Sequence, residues 1–144
     1  MEEKMRFLLI ILSVFWFAFA QEKVVVYENP TCSCCKLWSK HLRENGFEVK
    51  EVKTNEWLQL KEKHKISQEL QSCHTAEVEG YFLEGHIPAE DIKRLLEEKP
   101  QGVVGLSVPG MVIGSPGMEQ GWRKESYKVY FIKKDGSTGV WAQH

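Results

Sequence analysis

The chain of 144 residues contains no block of basic residues, no long repeat and no low-complexity segment. Its 19 lysines and arginines nearly balance its 20 aspartates and glutamates, which gives a formal net charge of −1. Nucleic-acid-binding domains carry clustered positive charge, so this balance argues against nucleic acid as the main partner. The length suits one domain with a single hydrophobic core.

The chain also lacks an apolar run as long as the roughly 20 residues that a comfortable membrane span requires. The run at 7–19 is almost wholly apolar but shorter, and it follows the positively charged Lys4 and Arg6. Ala18-Phe19-Ala20 supplies the small-x-small pattern of a signal peptidase site. We therefore expect residues 1–20 to be a signal peptide that is cleaved after Ala20, the alternative being an uncleaved N-terminal anchor. No cysteine follows Ala20, which argues against lipid attachment there.

Cysteine is scarce, with four in the whole chain, yet three of the four fall within four consecutive residues. Cys32 and Cys35 form a C-x-x-C pair, Cys34 is inserted between them, and Cys73 lies far along the chain. In an exported protein, exposed thiols persist only when they are paired, bound to metal or kept reduced by a partner. The cluster therefore indicates either thiol–disulfide exchange or binding of a soft metal.

Thiol–disulfide exchange would use Cys32 and Cys35. Cys32 is placed just before a predicted helix, where unpaired backbone N–H groups and the helix dipole stabilise a thiolate. Cys35, one turn farther along, is placed to resolve a mixed disulfide. A purely structural disulfide between these residues is the alternative, but closing so short a loop removes little chain entropy.

Thiol–disulfide exchange does not need Cys34, whereas metal binding can use it as a ligand. Its Cα lies about 3.8 Å from that of Cys35 across a trans peptide, below the usual disulfide range of about 4.4–6.8 Å. Thiolates select Cu(I), zinc or iron–sulfur clusters, and a single zinc usually takes two separated cysteine pairs. Because thiolates can bridge, a small Cu(I)–thiolate cluster fits this spacing better than one zinc ion.

Other soft or borderline ligands accompany the cysteines. His74 directly follows Cys73, and His86 precedes a predicted helix start, where the dipole favours the neutral imidazole that binds metal. Met111 and Met118 each end a Pro-Gly-Met triplet. Each residue also has an ordinary structural alternative: a surface imidazole for His74, a helix cap for His86, and apolar packing for the two methionines.

Apolar periodicity and turn residues predict alternating strands and helices. The predicted strands are 23–27, 47–52, 76–83 with a turn near Gly80, 127–132 and 139–141, and a short strand at 111–113 within a Gly- and Pro-rich loop region, 103–117. The predicted helices are 34–45, ending at Gly46, 57–64, capped by Asn55, and 88–99, beginning at Pro88. His41 and His64 are expected to be solvated on helix faces.

This order predicts an α/β fold of the thioredoxin-like sandwich type, with a central mixed sheet flanked by helices, over residues 21–144. A strand followed by C-x-x-C at a helix start is typical of that fold. The fold also places a cis proline before a strand and beside the cysteines, and Val108-Pro109 is the candidate here.

Five motifs in order resemble a bacterial domain-of-unknown-function family that includes the CopG proteins of copper-resistance clusters. The resemblance covers essentially the whole of residues 21–144. The motifs are Asn29-Pro30-Thr31-Cys32-Ser33-Cys34-Cys35, Leu70-Gln71-Ser72-Cys73-His74-Thr75-Ala76, Glu84-Gly85-His86-Ile87-Pro88-Ala89, Gly105-Leu106-Ser107-Val108-Pro109-Gly110-Met111 and Gly114-Ser115-Pro116-Gly117-Met118-Glu119.

The resemblance implies a thioredoxin-like fold, a periplasmic location and copper bound by the cysteine cluster, and it allows for interconversion of Cu(I) and Cu(II). The cysteines match the family's core thiols, and His86, Met111 and Met118 lie in shared motifs. The implied metal ligands are therefore Cys32, Cys34, Cys35, Cys73, His86, Met111 and Met118.

These observations predict a periplasmic copper-binding protein that holds Cu(I), with several ions per chain as one option. Its expected partners are copper ions and other periplasmic copper-handling proteins, and it would meet the membrane only through the signal segment. The main alternative is a periplasmic thiol–disulfide oxidoreductase that uses Cys32 and Cys35, with an arsenate-reductase-like enzyme as a variant. A structural zinc domain is a third interpretation. Catalytic turnover is left open.

Overall fold

The computed structural model describes residues 20–144. The signal peptide predicted at 1–20 lies outside the described residues except for Ala20, so the signal segment and its cleavage remain predictions. Within the part of the chain that the structure describes, no helix has the length and apolar character needed to cross a membrane.

The described residues form one seven-stranded sheet with three α-helices. In chain order the elements are β1 (Lys23–Glu28), α1 (Ser33–Glu44), β2 (Glu48–Lys53), α2 (Trp57–Lys63), a 3-10 turn (Gln68–Leu70), β3 (His74–Val78), β4 (Tyr81–Glu84), α3 (Ala89–Glu98), β5 (Val103–Ser107), β6 (Lys128–Lys133) and β7 (Thr138–Gln143). Strand order in the sheet is β2-β1-β3-β4-β5-β6-β7. The pairs β1–β2 and β4–β5 are parallel and the other neighbours are antiparallel, so the sheet is mixed, as predicted.

Hydrophobic cores lie on both faces of the sheet, as the adjacent residues Phe82 and Leu83 of β4 show. Successive side chains of a strand point to opposite faces, so these two residues enter different cores. Leu83 belongs to the larger core, which contains buried residues of α1 and α3. Phe82 belongs to a smaller core with Ile66, Leu70 and Ile132. The α/β sandwich with helices against a central sheet is thus confirmed.

Helix α1 begins directly after the turn that carries the first cysteine. Cys32 is the N-cap residue, with extended backbone (φ −75°, ψ 100°), and its N–H donates to the carbonyl oxygen of Asn29 at 3.0 Å. The buried face of the helix is Cys35, Trp38, Ser39 and Leu42. Gly46, at φ +92°, follows the last turn, where left-handed backbone favours glycine. The predicted boundaries of this helix are therefore close to the observed ones.

The prediction of a cis bond at Val108-Pro109 is wrong, because the described residues contain no cis peptide bond. The prediction required Pro109 to precede a strand. Instead Pro109 follows β5, and the strand predicted at 111–113 does not form. Turn contacts hold that segment, because Ser115 N–H and Oγ both donate to the carbonyl oxygen of Val112. At Pro109 the chain therefore leaves the sheet after β5, whereas the prediction had it begin a strand there.

Three local predictions about polar residues are also wrong. The N-cap of α2 is Glu56 instead of Asn55, and the Oγ1 of Thr54 accepts the N–H of Glu56. His41 is half-buried, and its Nε2 accepts the N–H of Ala89 at 3.0 Å, at the start of α3. His64 is also only partly exposed and pairs with Glu77 at 2.7 Å. Packing between elements, which helix periodicity alone does not reveal, withdraws both imidazoles from solvent.

Candidate metal centre

The four cysteines come together, although they lie on two separate segments. One sulfur from each of Cys32, Cys34, Cys35 and Cys73 lies within 4.8 Å of the others. The Sγ of Cys34 is 3.4 Å from that of Cys32 and 3.9 Å from that of Cys73. The N-cap position and first turn of α1 supply the first three, and the residue before β3 supplies the fourth. The sheet thus brings β1 and β3 side by side and closes the sequence gap between the cysteines.

Two of the four sulfurs are joined, because Cys32 and Cys35 form a disulfide. Cys34 and Cys73 are free thiols, and both are partly exposed. Metal ions bind the thiolate form of cysteine, which a disulfide cannot supply. The centre therefore has an oxidised form with two free thiols, and a two-electron reduction would provide four.

Cys73 also contacts two histidines. Its Sγ lies 3.2 Å from Nδ1 of His74 and 3.1 Å from Nε2 of His86. These three residues form a second group whose ligand atoms lie within 4.8 Å of one another. Cys73 is therefore shared by a group of four sulfurs and a group of one sulfur and two imidazoles.

A backbone carbonyl fixes the tautomer of His86. Its Nδ1 lies 2.7 Å from the carbonyl oxygen of Pro116, and a carbonyl oxygen can only accept, so we assign the ring hydrogen to Nδ1. The lone pair of Nε2 then faces Cys73. A carbonyl that orients the far nitrogen of a histidine is the usual support of a metal-binding imidazole.

His74 is held in a closed setting. It is fully buried. Its ring centroid lies 4.5 Å from that of Trp38 and 5.0 Å from that of His86. Trp38 is itself held in place, because its Nε1 donates to the carbonyl oxygen of Ile87. The Nε2 of His74 has no hydrogen-bond partner among the described residues. A buried imidazole nitrogen without a partner is costly. The other ring nitrogen, Nδ1, is the one that faces Cys73.

Burial favours the uncharged forms of Cys73, His74 and His86. Desolvation lowers the pKa of His74 well below its ordinary value, with His86 and Lys61 acting in the same direction. Desolvation also lowers the pKa of His86. Burial, and then the neighbouring Cys34, raise the pKa of the Cys73 thiol to about 12. A bound cation would reverse this preference, because coordination deprotonates a thiol.

The methionine-bearing loops close over the centre through their glycines. Gly117 lies at φ +87°, and a Cβ there would stand 2.8 Å from Trp38 N and 3.0 Å from both the carbonyl oxygen of Cys34 and Nδ1 of His86. Gly110 N–H donates to the carbonyl oxygen of Gln71 at 3.0 Å. The backbone next to Met118 therefore lies against His86 and α1, and the backbone next to Met111 lies against Gln71.

Met111 and Met118 differ in exposure. The side chain of Met111 is 51% exposed, whereas Met118 is partly buried and its N–H donates to the carbonyl oxygen of Ser115 at 2.8 Å. The hydrogen bonds of the described residues do not include either thioether, so the ligand role of Met111 and Met118 remains a prediction.

Sequence reasoning missed two residues beneath the centre, Lys61 and Glu84. Both are buried. Glu84 contacts Ser72 and Thr75, which flank Cys73–His74, and Lys61 contacts Thr75. A lysine on a short helix and a glutamate at a strand end are ordinarily solvent-exposed. The one available signal was the position of Glu84 directly before Gly85-His86.

Comparison with known proteins finds relatives that match both the fold and the segment that carries much of this centre. The family model described as "Protein of unknown function, DUF411" matches residues 70–118, which include Cys73, both histidines of the centre and both methionines. Two solved structures titled as copper resistance protein copG, in forms 2 and 1, superpose with TM-scores of 0.83 and 0.82. Each is 38% identical to this chain and covers 87% of it, and the matches span 99% and 98% of those chains. Among curated proteins, none matches this sequence.

Proposed function

Because this chain belongs to the CopG-type DUF411 family, we propose that it binds copper and holds Cu(I) among the thiolates of Cys32, Cys34, Cys35 and Cys73. The observation that carries the proposal is the shared position of Cys73 between the four-sulfur group and the two imidazoles. Thiolate and imidazole are ligands that copper prefers. The matched structures are titled as copper resistance proteins, which supports copper over zinc.

The geometry favours more than one copper ion per chain. Cys34 and Cys35 are adjacent, yet Cys35 is buried on the inner face of α1 while Cys34 is partly exposed and faces Cys32 and Cys73. A bridging Cys73 thiolate would bind two copper ions at once. One of these ions would be held by the sulfurs, and the other would also contact His74 or His86. Met111 and Met118 would complete the shell from the loops above.

Anaerobic titration of the fully reduced protein with Cu(I) tests this proposal. We expect saturation above one copper ion per chain, and we expect Cys34→Ser to lower that number. Parallel titration with Zn²⁺ tests the structural zinc alternative, which predicts a single ion and unfolding on chelation. Saturation at one copper ion or fewer, with no loss in Cys34→Ser, would contradict a cluster.

Redox cycling, transfer and location are further parts of the proposal. The Cys32–Cys35 disulfide offers a means to couple copper release to oxidation, since forming it withdraws two sulfurs from the centre. We propose a periplasmic protein, after cleavage of the signal segment following Ala20, that passes copper to or from another copper-handling protein. N-terminal sequencing of the protein from a periplasmic extract tests the location directly.

A second candidate function is thiol–disulfide exchange. It is favoured by the disulfide itself and by the asymmetry of its ends, because Cys32 is partly exposed at the N-cap of α1 whereas Cys35 is buried. In the reducing direction the Cys32 thiolate attacks a substrate disulfide and one substrate sulfur leaves as thiolate. Cys35 then attacks Cys32 Sγ of the mixed disulfide, which releases the second substrate thiol and forms the Cys32–Cys35 disulfide. Metal-free protein should then keep its activity in insulin-reduction assays after Cys34→Ser and Cys73→Ser. Loss of activity in those variants would count against this function.

A further inference from the structure

The carboxylate of Glu84 ties together the two residues that flank Cys73–His74. Glu84 ends β4 and is fully buried. Its Oε1 accepts the N–H of Ser72 at 2.7 Å, and its Oε2 accepts the hydroxyl of Thr75 at 2.6 Å. One side chain therefore holds both ends of the segment that carries the shared cysteine and its neighbouring imidazole.

Lys61 compensates the charge of the buried Glu84 carboxylate. The side chain of Lys61 is 2% exposed, and its Nζ donates to Glu84 and, at 3.1 Å, to Oγ1 of Thr75. Burial raises the pKa of Glu84, and the charge of Lys61 is the largest influence in the opposite direction. Removing either partner would leave a buried charge uncompensated. The two residues therefore act as one unit.

Glu84 is also rigidly connected to His86. The N–H of Gly85 donates to the carbonyl oxygen of His74 at 3.1 Å, and the N–H of Val108 donates to the carbonyl oxygen of Glu84 at 2.9 Å. A Cβ on Gly85 would stand 2.5 Å from the Val108 oxygen, so the backbones are in close contact. The spacing between Cys73 and His86 is thus set by hydrogen bonds that converge on Glu84 and its neighbour.

We propose that Glu84, supported by Lys61, is a positioning residue for copper. Its carboxylate holds Cys73 and His74 so that the sulfur and the two imidazoles can bind the same ion. This inference rests on the proposed function, because it concerns the affinity of that same centre. The turn that carries Cys32, Cys34 and Cys35 makes none of these hydrogen bonds, so the effect should fall on the Cys73 side.

Two double variants separate positioning from simple loss of charge. Lys61→Met with Glu84→Gln removes both charges and keeps an oxygen that can accept a hydrogen bond. Lys61→Met with Glu84→Leu removes both charges and the acceptor. Since supporting residues of metal ligands are typically worth about 10- to 100-fold in affinity, we expect the leucine variant to bind Cu(I) at least about tenfold more weakly than wild type. The glutamine variant should recover at least about fivefold of that loss.

The measurement is competition for Cu(I) against a chromophoric chelator, made on fully reduced protein, with X-ray absorption at the copper edge. The leucine variant should lose nitrogen neighbours of copper while it keeps sulfur neighbours. Lys63→Met is the matched control, because Lys63 lies on the same helix but makes an exposed pair with Glu77 at 2.8 Å. That variant should match wild type in both measurements.

The outcomes distinguish the two proposals. If wild-type protein fails to bind Cu(I), the proposed function fails. If wild type binds and the leucine variant binds equally tightly with unchanged nitrogen neighbours, the positioning role of Glu84 is overturned. If the leucine variant does not fold, Thr75→Val takes its place, because it removes only the hydroxyl that Oε2 of Glu84 accepts. An affinity of Thr75→Val within about twofold of wild type then overturns the role as well.

Discussion

The sulfur of Cys73 lies 3.1 Å from Nε2 of His86, and the opposite nitrogen of that ring donates to the carbonyl oxygen of Pro116 at 2.7 Å. Through this imidazole the loop of residues 114–118 is connected to the cysteines on the other side of the centre. A Cβ on Gly117, one residue beyond Pro116, would stand 3.0 Å from Nδ1 of the same ring and 3.0 Å from the carbonyl oxygen of Cys34 in α1. The loop therefore packs closely against the residues of the centre.

Gly117→Ala should weaken copper binding. Its methyl group would stand 3.0 Å from Nδ1 of His86 and 2.8 Å from Trp38 N, so the loop must move and the His86 hydrogen bond to Pro116 must lengthen or break. We expect about a tenfold or greater loss of Cu(I) affinity, as for other losses of support to a metal ligand. Chelator competition on reduced protein measures it.

Gly136→Ala is the matched control for this substitution. Gly136 has nearly the same φ, +84° against +87°, but nothing lies within 4 Å of its Cβ position. Both variants carry the cost of left-handed backbone, about 1–2 kcal/mol, so a comparable loss of stability is expected from that source. If both variants bound copper alike, the close approach of Gly117 to His86 would have no bearing on the centre.

Oxidation of Cys32 and Cys35 should lower the copper capacity. The disulfide removes two of the four sulfurs from the group, and the thiols that can still bind copper are those of Cys34 and Cys73. Air-oxidised protein should therefore take up fewer Cu(I) ions than reduced protein, and a thiol reductant should restore the full number. The capacity is measured by metal analysis after desalting, with thiols counted in the same samples. Equal capacity in both forms would show that Cys32 and Cys35 are not ligands.

Much of the fold was predictable because local patterns and tertiary packing agree there. The β-branched run at 23–27 and the helical spacing after Cys34 gave nearly the observed β1 and α1. Strand β5 was missed because its Gly105 lies in a Gly- and Pro-rich region, where glycine ordinarily marks a loop. In the structure a Cβ on Gly105 would stand 2.6 Å from the carbonyl oxygen of Phe82. This glycine serves close strand packing, which depends on a partner that the local sequence does not contain.

The candidate site likewise contains residues that the sequence predicts and residues that it does not. Cysteine spacing grouped Cys32, Cys34 and Cys35, and the family resemblance added the distant Cys73. The structure brings all four together. The Glu84–Lys61 pair could not be predicted, because its burial follows from the pairing of β3 with β4 and the packing of α2 over them. In β3 and β4, Thr75 and Glu84 are direct cross-strand partners. Charged residues enter the interior only where such partners surround them, and single-sequence patterns do not supply that information.

Metal-free protein should lose stability as the pH falls from about 7 to 5, in part through His41. Burial lowers the pKa of His41 below its ordinary value of 6.5, and its neutral Nε2 accepts the N–H of Ala89. Below that ordinary value the unfolded chain binds a proton that the folded chain does not, so stability declines until the folded pKa is reached.

His41→Gln tests the contribution of this residue. Glutamine offers an oxygen for the Ala89 N–H but does not titrate, so the variant should lose less stability between about pH 7 and pH 5 than wild type. Urea unfolding across that range gives both slopes. His74 and His86 titrate in the same direction, because burial lowers their pKa values too, so the slope should decrease without vanishing. An unchanged slope would exclude His41 as a contributor.

Glu28→Met should stabilise the protein, increasingly so as the pH rises. Glu28 is fully buried at the end of β1, and neither of its carboxylate oxygens has a hydrogen-bond partner among the described residues. Burial, and then Glu51, raise its pKa. Above its ordinary pKa of 4.5 the unfolded chain releases a proton that the folded chain retains, so this carboxyl destabilises the fold progressively until the raised pKa is passed. Methionine has a similar volume and no buried polar atom to satisfy, so we expect a gain of about 1–3 kcal/mol at pH 8.

The pH dependence separates ionisation from packing at this position. Glu28→Gln cannot ionise but keeps a buried polar group, so it should remove the pH-dependent part of the difference while it retains a pH-independent cost. Urea unfolding of metal-free protein between about pH 4 and pH 8 should therefore show the gap between Glu28→Met and wild type widening with pH. The gap between the methionine and glutamine variants should stay constant over the same range. A gap between methionine and wild type that stayed constant would mean that Glu28 has the same pKa in the folded and unfolded chains, contrary to its burial.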